Sequence, residues 1–209
     1  SELPPHFDGT PRFPERVLTA LEVPYTDAEK AVHSALQEYT QLRRQDVSDN
    51  TERVASEFVM KTLKKRLFSS PAAFASTLKK HEESLATATR KKGPKKPTVK
   101  VLQRQIDLVD EDYADDDELE EVTADAVDVA TKLFRDPNEE EKTLLAKMKE
   151  WAGALSVIPD SKADLLLQWL HDNLMPGGQW NDERVIIFTE YRATQTWLQT
   201  ILATAGLTK

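Results

Sequence analysis

The stretch Arg184-Val185-Ile186-Ile187-Phe188-Thr189-Glu190-Tyr191-Arg192 decides which fold class the sequence predicts. It contains four consecutive apolar residues, rich in β-branched and aromatic side chains, which is typical of a short buried strand. The polar pair after them ends the strand, and apolar residues then recur at helical spacing up to Gly206, a residue type that commonly follows a helix. These helix positions are Ala193, Trp197, Ile201 and Ala205, with Leu198 and Leu202 beside them. We therefore predict one β-turn-α unit of a parallel α/β sheet, whose other strands must come from elsewhere.

The rest of the chain is predicted to be mainly helical. Thr26-Asp27-Ala28-Glu29 and Asn138-Glu139-Glu140-Glu141 have the pattern of a capping box, which marks the start of a helix. Ser70 before Pro71 indicates a third helix start, since serine caps helices and proline fits the first turn. Residues 17–25 alternate between apolar and other side chains and predict a strand at a sheet edge. The predicted fold class is mainly α, with a small α/β portion at the C-terminus and one or two strands near the N-terminus.

The composition narrows the class of protein. The 209 residues suffice for one large domain or two small ones, and the 39% hydrophobic and 31% charged residues are typical of a soluble, mainly helical protein. The absence of cysteine excludes disulfides, thiolate metal sites and cysteine nucleophiles. The apolar runs are far shorter than a membrane span and no signal peptide opens the chain, so we expect a cytoplasmic protein without a membrane partner.

Charge is segregated along the chain, although the net charge is only −8. Residues 61–104 contain thirteen Lys or Arg against two Glu, whereas residues 105–150 contain five Lys or Arg against seventeen Asp or Glu. Two interpretations stay open: a basic surface neutralises nucleic-acid phosphates, or the acidic segment offsets a solvated helix face and a flexible loop. The basic positions considered as phosphate contacts are Lys64, Lys65, Arg66, Lys91, Lys92, Lys95 and Lys96.

The sequence contains no complete catalytic motif. No glycine is followed by lysine, so the phosphate-binding loop of ATPases is absent. The stretch Ile106-Asp107-Leu108-Val109-Asp110-Glu111 resembles an apolar strand followed by Mg²⁺-binding acids, but it runs into further acids and is interpreted as an acidic loop. The four histidines are scattered without the spacing of a zinc site. We predict no catalytic residue, cofactor site or metal site within the chain.

Three parts of the chain carry motifs in a particular order. Residues 13–29 combine a predicted strand with a helix that opens with Thr-x-x-Glu, and residues 63–72 are similar to the motif Lys-Arg-x-x-Ser-Ser-Pro-x-Ala. The third part joins a Ser-Lys helix start at residues 161–170 to the strand and helix of residues 184–202. Together these parts resemble the SWI/SNF-type ATPases of helicase superfamily II, and most closely their bacterial RapA-like group. They are similar to the end of the first RecA-like lobe, the helix pair after it, and motif IV of the second lobe.

The resemblance implies three parts of a larger ATPase. These are the tail of the first lobe in residues 1–45, a helical connector with a basic and then an acidic linker in residues 46–158, and the start of the second lobe in residues 159–209. The phosphate loop and Asp-Glu-x-His box of the family would precede Ser1, and its arginine-bearing motif VI would follow Lys209. The parent would use ATP and Mg²⁺ as a DNA helicase or translocase on double-stranded DNA. This chain would be a non-catalytic segment, since phosphoryl transfer needs groups from both lobes.

Motif IV and the Ser-Lys helix start supply the other nucleic-acid contacts that the resemblance implies. Thr189, Glu190, Tyr191 and Arg192 follow the predicted strand and open the next helix, where backbone N–H groups suit phosphate, and Lys162 occupies a similar place. A purely structural role stays open for each side chain, such as capping of the helix by Thr189 or Glu190. The alternative function is a helical protein–protein interaction module without nucleic-acid function, with a partner such as RNA polymerase or a defence or repair subunit. Self-association through the uncovered strand is also expected.

Overall fold

The computed structural model describes residues 17–45, 47, 49–90, 97–109, 111 and 115–207, except for the side chains of residues 89 and 90. In that part of the chain the backbone forms eight α-helices and one short 3-10 helix. The α-helices are α1 (Asp27–Gln45), α2 (Asn50–Ser69), α3 (Pro71–Arg90), α4 (Val99–Val109), α5 (Asp116–Thr131), α6 (Glu139–Ala154), α7 (Ser161–Leu174) and α8 (Arg192–Thr204). The 3-10 helix, Pro176–Gly178, follows the end of α7. No described helix is long and apolar enough to cross a membrane.

Side-chain caps determine where most of these helices begin. Thr26 and Glu29 form the predicted capping box of α1, since the N–H group of each residue donates to the side chain of the other. Asn138 and Glu141 form the same arrangement at α6. Aspartates accept from first-turn N–H groups at three further helices: Asp49 at α2, Asp115 at α5 and Asp160 at α7. The capping boxes predicted from the sequence are therefore confirmed.

The main hydrophobic core lies between helices α1, α2, α3, α5 and α6, and α4 packs on α5 at its side. Leu63, Leu78 and Met148 have no exposed surface at its centre. A second and smaller apolar cluster joins α7 and α8 to the start of α3, where Trp197 packs near Ala72. Because this cluster holds α8 against α3, the first turns of α8 lie beside the C-terminus of α2.

A buried polar network crosses the main core. Glu141 of α6 accepts two hydrogen bonds from the Arg135 guanidinium, at 2.8 and 2.9 Å, and lies 3.3 Å from Arg43 Nε of α1. The Tyr39 hydroxyl lies 3.1 Å from Arg43 Nε and 2.7 Å from His81 Nε2 of α3. Arg43, Glu141 and His81 are almost completely buried. The network therefore ties together three helices that are distant in the sequence.

The predicted α/β portion at the C-terminus is wrong, because the described residues form no strand. Residues 184–189 lie between α7 and α8 without regular hydrogen bonding, and Ile186 and Phe188 are 78% and 88% exposed. A strand is stable only when a neighbouring strand shares its backbone hydrogen bonds, and no such neighbour exists among the described residues. The helix predicted after this stretch is confirmed as α8, and Gly206 has the positive φ of 73° that favours glycine after a helix.

Two further predictions from the sequence differ from the structure. Residues 17–25 form no strand, and their apolar side chains are largely exposed, with Leu18 at 88%. The acidic loop predicted at residues 106–111 is wrong in its first part, because α4 continues to Val109. Further along, α5 begins at Asp116, where several carboxylates stabilise the positive end of the helix dipole. A run of acids therefore marks a helix start here, while residues 110 and 112–114 lie outside the described part.

Candidate functional site

Motifs from distant parts of the sequence meet at one junction between helix ends. Glu29 near the start of α1 accepts hydrogen bonds from the N–H group and the hydroxyl of Ser161, the first residue of α7, at 2.9 and 2.5 Å. Burial raises the pKa of the Glu29 carboxyl. Hydrogen bonds from Ser161 and Thr26 lower it by a larger amount, so the pKa lies below its ordinary value. Glu29 is therefore a charged carboxylate that ties α1 to α7.

Lys162 connects this junction to α2. Its ammonium donates to the carbonyl oxygens of Phe68 and Ser69, the second at 2.6 Å. These carbonyls belong to the last turn of α2, where the negative end of the helix dipole attracts a cation. Burial lowers the pKa of Lys162, although the charges of Asp160 and Glu29 oppose that shift. Lys162 therefore caps the C-terminus of α2, and its ammonium group is used in that contact.

Three hydroxyl groups join the other side of the junction to α8. Thr194 Oγ1 lies 2.7 Å from Ser69 Oγ and 2.8 Å from Ser70 Oγ. Ser70 Oγ also accepts from the Ala73 N–H group at 3.1 Å, so Ser70 caps α3 as the sequence predicts. Sequence reasoning did not identify Thr194, because a threonine inside a helix gives no local signal of a distant partner.

The predicted residues of motif IV lie against the basic face of α2. The Tyr191 ring stacks on the guanidinium of Arg66, with 3.9 Å between the guanidinium carbon and the ring centre. Lys65 Nζ lies 3.7 Å from a Glu190 carboxylate oxygen. The structure thus brings together four residues that the sequence proposed as nucleic-acid contacts: Lys65, Arg66, Glu190 and Tyr191.

Carboxylates of α5 form ion pairs with Arg66 and with Arg192, the residue after Tyr191. Arg66 donates to Glu120 at 2.6 Å, and Arg192 Nε lies 3.4 Å from an Asp117 oxygen. The Tyr191 hydroxyl donates to Glu190, and burial together with this carboxylate raises the pKa of Tyr191 to about 12. Each described cation of the cluster is therefore already paired with a carboxylate, which weakens its attraction for phosphate.

The remaining predicted contacts lie elsewhere. Thr189 is half-buried beside α7 and α8, and neither Thr189 nor Glu190 caps α8, whose N-cap is Tyr191 without a side-chain cap bond. The capping role considered for Thr189 and Glu190 is therefore wrong. Lys64 faces a separate groove between α1 and α2. The remaining basic positions, Lys91, Lys92, Lys95 and Lys96, lie outside the described residues.

The groove between α1 and α2 presents cations that are not paired within the described part of the chain. It has a volume of about 410 Å³, and its charged lining consists of Arg44, Lys61 and Lys64 with Glu57 as the single carboxylate. All four side chains are exposed. Lys61 and Lys64 share one face of α2 because they are three residues apart, a signal that the sequence does offer. Arg44 comes from another helix, and only the fold places it there.

The junction also borders a cleft of about 270 Å³ between α1, the end of α2, α6 and the start of α7. Its walls include the aromatic rings of Phe68 and Trp151, and Tyr25, Asp160 and Lys162 contribute polar groups. Across the described ranges, no group of three His, Asp or Glu side chains could hold a metal ion. The contacts described above fix helix ends and place charged groups at the surface.

Comparisons with known proteins assign no family. No protein-family model matches the chain. No curated protein sequence and no solved structure matches it significantly.

Proposed function

We propose that this chain is a non-catalytic segment of a bacterial RapA-like ATP-dependent DNA translocase, which links the two ATPase lobes and contributes to DNA binding. The observation that carries this proposal is the junction. Ser161 contacts Glu29 across 132 residues, and Lys162 contacts Ser69 across 93 residues. The Thr-x-x-Glu, Ser-Ser-Pro and Ser-Lys motifs therefore lie together at one point of the fold. This proximity supports the resemblance, in which the three motifs occur in this order.

The groove between α1 and α2 is the surface that we assign to double-stranded DNA. Lys64 is one of the DNA contacts predicted from the sequence. Arg44 and Lys61 add two further exposed cations to the same groove. None of the three forms an ion pair with another described residue, so each can neutralise a phosphate without breaking a contact. The net charge of −8 opposes binding, and we therefore expect weak, sequence-independent and salt-sensitive affinity.

Replacing Lys61 and Lys64 together by Gln should weaken binding to a labelled DNA duplex. The plot of log affinity against log salt has a negative slope, and the loss of two phosphate contacts should make it less steep by roughly two units. The matched control replaces Lys142 and Lys147 of α6 by Gln, which removes the same charge from a different helix and should leave the slope unchanged. Equal losses in the two double variants would contradict an assignment of DNA to this groove.

We also expect the chain alone neither to bind nor to hydrolyse ATP. The physical reason is that no phosphate-binding loop is present in the sequence to hold the β- and γ-phosphates. Phosphate release should be measured with and without duplex DNA. Turnover that rises in proportion to the chain and survives a second purification would contradict the proposal of a non-catalytic segment.

A helical protein–protein interaction module is the second candidate function. Two observations favour it: carboxylates neutralise the arginines near Thr189, and the apolar side chains of Ile186 and Phe188 face solvent. This candidate predicts no measurable affinity for duplex DNA at moderate salt. The titration of the wild-type chain and the two double variants therefore distinguishes the two functions.

A further inference from the structure

Residues 184–188 have the burial pattern of a strand that is covered on one face. The exposed fraction alternates along the stretch: Val185 37%, Ile186 78%, Ile187 39% and Phe188 88%. A period of two is the periodicity of a strand, and no residue of the stretch has a positive φ that would prevent strand geometry. Ile187 and Phe188 border a depression that Leu166 of α7 and Trp197 of α8 also line. Ile187 is therefore the more covered of the two, and Ile186 and Phe188 leave an apolar surface open to solvent.

The backbone of this stretch is also unpaired. No N–H or C=O group of residues 184–190 forms a hydrogen bond to the backbone of another residue in the described part, except that the first turn of α8 begins directly after it. Unpaired backbone groups beside apolar side chains form a template to which another strand can add.

We propose that a second copy of this chain pairs with residues 184–190 in antiparallel orientation, with Ile187 of one copy opposite Ile187 of the other. In this register Arg184 lies opposite Glu190 at both ends of the ribbon. Ile186 lies opposite Phe188 twice, on the open face, where aromatic and β-branched side chains form favourable cross-strand pairs. The stretch is therefore complementary to itself in both charge and apolar contact.

Neighbouring registers lack this complementarity. If the pairing were centred on Phe188, Arg184 would lie opposite Arg192, and Ile186 would lie opposite Glu190. If it were centred on Ile186, Arg184 would lie opposite Phe188, and the arginine would have no carboxylate partner. Like charges directly opposite each other destabilise a ribbon, so charge selects the register centred on Ile187.

The pairing has a two-fold axis through Ile187, as a closed dimer requires. Helices α7 and α8 of both copies then cover the same face of the ribbon. A two-stranded ribbon alone is marginal in water, and the helices on one face supply the extra packing that it needs. We therefore expect a weak dimer that forms as concentration rises. The groove between α1 and α2 takes no part in this pairing, so a loss of dimers and a loss of DNA binding are distinguishable outcomes.

Cysteine cross-linking tests the register, and the absence of natural cysteines makes the test clean. Ile187→Cys should form a covalent dimer on oxidation, because directly opposed positions bring two cysteines within disulfide reach. Ile186→Cys alone should remain monomeric on a non-reducing gel, but a mixture of Ile186→Cys and Phe188→Cys chains should cross-link. Cross-linking of Ile186→Cys as efficiently as Ile187→Cys, or of none of them, would overturn the register.

Charge exchange tests the pairing itself by sedimentation. Arg184→Glu and Glu190→Arg should each weaken dimerisation by at least about tenfold, since each places like charges opposite each other at both ends. Mixing the two variants should restore dimers, because every opposed pair is then of opposite charge. Misfolding cannot produce this rescue, which matters because Glu190 also lies near Lys65 within its own chain. A wild-type chain that stays monomeric throughout the micromolar range, or variants that dimerise without mixing, would overturn the proposal.

Discussion

Replacing Glu141 by Gln should destabilise the fold by about 3–5 kcal/mol. Glu141 has no exposed surface, and its carboxylate neutralises two arginines inside the core, Arg43 and Arg135. Loss of the negative charge removes the carboxylate that lies 3.3 Å from Arg43 Nε, and Arg43 is itself almost completely buried. Small domains are stable by about 5–15 kcal/mol, so this one substitution should remove a large part of the total. Urea denaturation followed by circular dichroism measures the loss.

Glu139→Gln is the matched control for that experiment. Glu139 occupies the first turn of the same helix and pairs with Lys142, but its side chain is 90% exposed. Its replacement should change the free energy of unfolding by no more than about 0.5 kcal/mol. Arg43→Met combined with Glu141→Gln should cost less than the sum of the two single changes, because the unpaired buried charge of Arg43 is removed together with its partner. Additive losses, or equal losses for Glu139→Gln and Glu141→Gln, would contradict the role assigned to the network.

The sequence predicted helix starts more accurately than it predicted strands. A capping box such as Asn138 with Glu141 is a local signal, since both partners lie within four residues of each other. The stretch around Ile186 has the apolar run of a strand but lacks the neighbour that would complete it, and a sequence window contains no information on that neighbour. Acids favour the first turn of a helix as well as a loop, so an acidic run alone does not separate the loop predicted at residues 106–111 from the helix start at Asp116.

The candidate site was only partly predictable for a related reason. The Ser-Lys motif located Lys162 at a helix start, but only the fold shows that its ammonium closes the end of α2. The run Lys64-Lys65-Arg66 predicted a basic part of a helix, whereas the pairing of Arg66 with Glu120 spans 54 residues and leaves no periodic signal. Arg43 is the instructive exception, because it shares the helical spacing of Val32, Leu36 and Tyr39 and is buried with them.

The same polar network should make the protein sensitive to mild acid through His81. Arg43 donates to the Tyr39 oxygen, so the Tyr39 hydroxyl hydrogen is directed to His81 Nε2, and His81 Nδ1 donates to Thr131 at 2.8 Å. A second proton on the ring would oppose the tyrosine hydroxyl hydrogen. Complete burial, and secondly the positive charge of Arg43, lower the pKa of His81 from 6.5 to about 3.

The direction of the effect follows from which state binds the proton. Between pH 6.5 and about pH 3 the unfolded chain protonates His81 and the folded chain does not. The contribution of His81 to stability is therefore complete above pH 6.5 and falls as the pH decreases, by up to about 1.4 kcal/mol per pH unit. Glu29 and Asp128 have lowered pKa values, and their contributions are lost only below their ordinary values of 4.5 and 3.8. Asp160, whose pKa is raised from 3.8, acts in the opposite direction.

The window in which His81 acts without Glu29 and Asp128 therefore lies between pH 4.5 and pH 6.5. Across it the wild-type chain should lose about 2–3 kcal/mol of unfolding free energy, measured by urea denaturation at closely spaced pH values. His81→Gln should be less stable at neutral pH, because the glutamine cannot reproduce both ring hydrogen bonds, but it should show a much flatter dependence within this window. His171→Gln is the matched control, since His171 is exposed on α7, and it should keep the full wild-type slope. An equally steep fall in His81→Gln would show that another group takes up the proton and that the buried network does not govern acid stability.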